Sequence, residues 1–182
     1  MIVRTLLVAA ATAVAAPVVL PFPSHAQTTA DPSVARAETF ASPTDRFVQM
    51  ASVASAFGIE SSNIALVKST SPEVRAFAER QLADLGVARA RLDEQARLNG
   101  WPPIRTTMDA KHAEAVDLMR EKSGAGFDAF YLAEQRKAYA SAIALFEEYA
   151  AKGDDLRLRA YALGALPTLR AHATHLAGIG RY

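Results

Sequence analysis

Four histidines and no cysteine bound the chemistry open to this chain. Without a thiolate, a metal site must draw on His, Asp or Glu, and no disulfide can form. His25 lies in an apolar N-terminal stretch and His112 among polar neighbours, while His172 and His175 sit near the C-terminus. Glu60 follows Phe57 by three residues and precedes Ile64 by four, a helical spacing that turns it toward or beside the core. His172 stands in the same relation to Leu169 and Leu176. A Glu facing a His from another helix can bind a metal ion or form a hydrogen-bonded pair, and the pair is the expected arrangement. Asp84, on the flank of an apolar stripe, is a candidate third ligand. The candidate metal residues are therefore Glu60, Asp84 and His172, with a divalent ion as the cofactor they would take.

Other patterns carry less chemistry. His172 and His175 share one helical side at i and i+3, but no further ligand type lies nearby in sequence, so His175 is expected to be exposed. No Glu-x-x-His occurs, the spacing with which bundles build di-metal centres. No Gly-x-Ser-x-Gly nucleophile turn is present. The run Ser123-Gly124-Ala125-Gly126 lacks the Lys-Ser/Thr partner of a phosphate loop and reads as a helix breaker. Trp101-Pro102-Pro103 reads as a rigid connector whose ring covers one end of the fold.

The elements that must position these residues are helices. Apolar residues recur at three-to-four-residue steps, and no segment alternates like a strand. The spacing predicts a first helix from about Thr44 to Ser69 and a second from Pro72 to about Asn99, where Asn99-Gly100 and the prolines stop it. A short helix is expected from about Asp109 to Lys122. A long one should follow from about Phe127 to Lys152, and a last one, capped by Asp154 or Asp155, should reach about Ala177. Pro167 should kink that last helix. Four long helices with short connectors predict an all-α, up-down four-helix bundle, with the short helix inserted between the second and third long ones. Alanine-rich helices of this kind either pack closely or leave internal space.

Several stretches align in order with one known family. They are Asp45-Arg46-Phe47-Val48, Gly58-Ile59-Glu60, Ser71-Pro72-Glu73-Val74 with Phe77-Ala78, Gly126-Phe127-Asp128 with Tyr131, and Leu166-Pro167 with Leu169-Arg170-Ala171-His172. Across about Asp45 to Leu176 the chain resembles the exported bacterial domain-of-unknown-function family 4142. The resemblance implies a ferritin-like four-helix bundle and leaves the activity open. It also implies three recurrent histidines, of which only His172 is retained. The pair that is Asp-His in the family reads Asp84-Leu85 here, and the third position is Tyr139. If the carry-over holds, Leu85 and Tyr139 should lie near Glu60 and His172 in the interior.

The first 26 residues have the layout of a cleaved signal peptide: Arg4, an apolar run from Leu6 to Leu20, then Ser24-His25-Ala26. The run is too short for a membrane span, which needs roughly 20 residues, and no cysteine follows it to take a lipid. No later stretch reads as a span. Residues 27–43 read as a flexible leader and 44–178 as the bundle domain. Without the signal, 19 basic and 19 acidic residues balance, so neither nucleic acid nor an anionic membrane surface is an expected partner. The expected product is periplasmic or secreted and non-enzymatic, acting by binding or interaction in the envelope, with an envelope protein or a second copy as partner. The alternative is a metal- or redox-handling bundle with a reduced site at Glu60 and His172.

Overall fold

The structure, a computed structural model, describes residues 40–101, 103, 104 and 107–180. The expected signal, residues 27–39 of the expected leader, and Pro102 lie outside the described residues. Five helices follow in order: α1 (Pro43–Lys68), α2 (Pro72–Leu98), α3 (Ala110–Glu121), α4 (Gly124–Lys152) and α5 (Leu156–Gly178). No strand occurs among the described residues.

Local chemistry sets the helix starts. Ser42 caps α1: its hydroxyl accepts from the Asp45 amide, and Pro43 takes the first position, where its missing N–H costs nothing. Thr44 instead turns its hydroxyl to Tyr149 and Asp154, tying the start of α1 to the end of α4. Ser71 with Pro72 repeats the device at α2, and Asp109 caps α3. Asp155 accepts from two amides, of Arg157 and Leu158, at the start of α5. Helix α4 begins three residues earlier than expected, because Gly124 and Gly126 join its first turn instead of breaking the chain.

Pro167 does not end α5, which continues from Leu156 to Gly178. Proline removes the donor for the carbonyl four residues back. That carbonyl belongs to Leu163, and Leu163, Gly164 and Pro167 are all exposed, so water can serve it.

The long helices pack so that each neighbours two antiparallel partners. Phe47 of α1 stacks on Tyr149 of α4, at 4.2 Å between ring centroids, and meets Phe146 edge-on at 5.0 Å. Farther along, Ser61 of α1 is bonded to Gln135 of α4. Helices α2 and α5 are likewise antiparallel, joined by Asp84 with His172 and by Ala88 with Tyr161. Helices α2 and α4 therefore run the same way on opposite corners. The segment after α2 returns along the bundle, and α3 is packed on α1 within it. A single long crossover of this sort is the ferritin-like connection.

Two apolar clusters fill the bundle. One gathers Phe57, Phe77, Met119, Phe127 and Tyr131 with Leu176. The other gathers Phe47, Leu92, Phe146, Tyr149 and Leu158. Leu169 packs against both. By length and composition α1 would pass for a membrane span, contrary to the sequence expectation that none follows the signal. Its most apolar stretch is 56% buried in the bundle, as in a core helix rich in Ala and Ser.

Candidate functional site

The four long helices do not close completely on one another. Between them lies a cavity of about 670 Å³ that all four line. Small residues face it where larger ones would fill it: Ala54 and Gly58 from α1, Ala88 from α2, Ala138 from α4, and Gly164 and Ala165 from α5. Its size falls within the roughly 300–1,000 Å³ of small-molecule sites. Helices α1 and α2 touch most closely beside it. A Cβ on Gly58 would stand 2.7 Å from Leu85 Cδ1 and 3.2 Å from Gln81 Nε2.

One flank of the cavity is polar and ordered. The Asp84 carboxylate meets His172 Nε2 at 2.8 Å, from α2 to α5. A carboxylate only accepts, so Nε2 carries the hydrogen and Nδ1 the lone pair. His172 is buried and Asp84 half-exposed, so the pair runs from the interior to the surface. Burial lowers the His172 pKa below the usual imidazole value, and the Asp84 contact opposes this without reversing it. The imidazole also lies on the Tyr139 ring, 5.3 Å between centroids, and edge-on to Phe77 at 5.6 Å. Burial pushes the Tyr139 hydroxyl well above the usual phenol range, so it stays protonated.

Beside this pair a buried chain of amides and hydroxyls crosses the core. Ser62 donates to Gln81 Oε1 at 2.7 Å, Gln81 Nε2 to Gln135 Oε1 at 2.8 Å, and Gln135 Nε2 to Ser61 at 2.7 Å. Ser61 in turn donates to the Phe57 carbonyl, and Tyr131 donates to Gln81 Oε1. Both glutamines are almost fully buried. Each nitrogen and oxygen of these two amides thus meets a partner.

The structure brings together part of the expected constellation. Asp84 and His172 bond directly, and Leu85 and Tyr139 line the same cavity as they do. Glu60 does not join them. Its carboxylate accepts from Arg120 Nη2 at 2.6 Å and does not line the cavity. The reason is α3. Phe57 lines the cavity, but Glu60 is on the side of α1 that packs against α3, where Arg120 takes its carboxylate. His112, on α3, lies 4.9 Å from the Phe57 ring and bonds Asp109 at 2.7 Å. His175 is exposed, with its ring 5.7 Å from Phe77. No group of three or more His, Asp or Glu able to hold a metal occurs among the described residues.

Sequence reasoning missed the glutamines. Their signal was present: Gln81 falls four residues before Leu85 and three after Ala78, and Gln135 four after Tyr131, at positions that the period gives to the core.

Fold and site together define a crossover four-helix bundle with a ligand-sized, partly open cavity between its long helices. The family model "Domain of unknown function (DUF4142)" matches residues 29–179, and the chain belongs to that family. No curated protein matches it in sequence. Among solved structures, "CopM in the Cu(II)-bound form" is similar, with a TM-score of 0.62 and 13% identity over 72% of this chain and 90% of that one. At that identity the likeness shows the fold.

Proposed function

We propose that this protein is an exported, non-enzymatic binding protein of the cell envelope, and that the cavity between its four long helices seats the ligand. The observation that carries this reading is the cavity itself, about 670 Å³ and walled mainly by Ala, Gly and aromatic residues. A partly open space of this size leaves apolar side chains in contact with water, which a ligand's hydrocarbon would displace. The polar groups at its edge support binding over turnover, because they engage one another: Asp84 with His172, and Gln81 with Gln135. Export rests on the signal-like layout of residues 1–26 and is tested by sequencing the N-terminus of protein recovered from the periplasm, expected at Gln27.

Native mass spectrometry of the purified protein tests the binding reading. A co-purifying small molecule is expected, lost from a variant that fills the cavity, Ala88→Phe with Ala165→Phe. A chain that carries no adduct and shows no thermal shift with any amphiphile or metabolite offered would overturn it.

A second reading has one specific observation in its favour. Asp84 and His172 form a carboxylate–imidazole pair with the imidazole held neutral, the state that ligates metal, and the similar structure is described as bound to Cu(II). Two protein ligands are fewer than a stable site uses. Copper and zinc titrations of the wild type and of Asp84→Asn/His172→Gln decide it. Stoichiometric metal lost in the double variant would establish this reading.

A further inference from the structure

The cavity is apolar along most of its length, and its charges are unevenly placed. Only three side chains lining it are charged, namely Asp84, Arg91 and Arg157. Asp84 is already committed to His172. The guanidinium groups of Arg91 and Arg157 have no hydrogen-bond or ion-pair partner among the described residues. Both lie on the same side of the Asp84–His172 pair, Arg91 near the middle of the α2 lining and Arg157 at the start of α5. On α2, Arg91 lies two turns beyond Asp84, and on α5, Arg157 lies four turns before His172. Because α2 and α5 are antiparallel, these offsets carry both arginines toward the same end of the bundle. Tyr161 marks that end. Its hydroxyl donates to the Ala88 carbonyl at 3.2 Å, and Arg91 is near enough to oppose the rise in its pKa, which burial takes to about 12.

The α2 flank of the cavity is apolar and open to solvent. Val87 and Leu98 both line the cavity, yet are 53% and 48% exposed. The lining of α2 extends from Gln81 to Leu98, roughly 25 Å of helix at 1.5 Å per residue. The shape is therefore long and largely apolar, with two uncommitted cations on one side of the Asp84 carboxylate, which is held by a neutral imidazole.

From these features we infer that the cavity binds a single-chain anionic amphiphile, whose hydrocarbon lies between α2 and α5 and whose headgroup meets Arg91 and Arg157. This rests on the binding function proposed above and adds the ligand's class. Carboxylate, sulfate and phosphate heads share the chemistry that a guanidinium fork recognises. Hydrocarbon supplies the affinity by area removed from water, and the arginines select the head.

Calorimetry with laurate and with dodecyltrimethylammonium, each below its micelle concentration, separates the two contributions. Laurate is expected to bind one per chain, and Arg91→Gln/Arg157→Gln to weaken it about tenfold or more. Dodecyltrimethylammonium should bind more weakly than laurate, and the arginine variant should not weaken it further. Both substituted positions are exposed, and circular dichroism confirms that the variant stays folded. A lysophosphatidylglycerol titration tells a phospholipid source from a free carboxylate; tight binding of either anion supports the inference.

Equal affinity for the cationic and anionic probes, or laurate binding unchanged in the arginine variant, would overturn the inference about charge. If Ala88→Phe/Ala165→Phe still abolished binding, the proposed function would survive that result. Failure of every amphiphile to bind the wild type would overturn both.

Discussion

His172 illustrates how one side chain can be settled by competing terms. Burial disfavours the imidazolium, Asp84 favours it, and Arg80 and His175 add to the opposition. The folded pKa is lowered, so the unfolded chain binds the proton more readily than the native one. Stability is then retained above the unfolded value of about 6.5 and lost as pH falls below it toward the lowered native value. Urea titrations at pH 7.5 and 5.5 should show this loss, and His172→Gln should reduce it, since Gln keeps a donor for Asp84 but does not titrate. A variant with the same acid sensitivity would remove His172 as its source. The buried amides make a second residue-level case. Gln81→Leu alone strands the Gln135 carbonyl and the Ser62 hydroxyl, and should cost about 1–3 kcal/mol. Gln81→Leu/Gln135→Leu should cost less than the sum of the two single changes, because each partner then leaves with the other.

At the scale of helices, caps and glycines give the clearest expectations. Asp155 is the only side chain accepting from the first amides of α5 among the described residues, and it accepts from two. Asp155→Ala should therefore lower stability by about 1 kcal/mol, read from the denaturation midpoint. Two glycines on neighbouring helices should respond in opposite directions. Gly86 is exposed inside α2 with nothing within 4 Å of an added Cβ, so Gly86→Ala should stabilise by about 0.5–1 kcal/mol. Gly58 faces Leu85 and Gln81 at close range, so the branched side chain of Gly58→Val should destabilise by about 1–3 kcal/mol. Thermal melts of the two variants should move apart, and a shift of both in one direction would contradict the close approach of α1 and α2.

Over the whole molecule, the two apolar clusters lie toward opposite ends but share Leu169, while α1, α2, α4 and α5 run through both. Neither cluster can lose its helices without disturbing the other. Unfolding should be one cooperative transition, with circular dichroism and Trp101 fluorescence reporting the same midpoint. Two separate midpoints would show that the ends melt independently. The cavity weakens the bundle between these clusters, so a ligand seated there should raise that single midpoint in proportion to the logarithm of its concentration.

How much of this was legible beforehand depended on whether the signal was local. Helix type and approximate length follow from periodicity and from capping residues such as Ser71, Pro72 and Asp109, whose effects act within one turn. Membership of the family was legible too, because its motifs lie in order along the chain. The partnership of Asp84 with His172, 88 residues apart, was expected only in outline, with Glu60 named as the partner. Which face of α1 looks inward depends on where α3 lies, and the crossover that places α3 leaves no periodic trace. Gln81 and Gln135 occupied core positions in plain view, yet only the meeting of α1, α2 and α4 shows that they satisfy each other. The alanines likewise permitted either close packing or a void. The separation of the four helices about those small residues decided for an open cavity, because larger side chains at the contacts on either side of it, such as Phe47, Phe77 and Phe146, hold the helices apart there, while Gly58 lets α1 and α2 approach beside it.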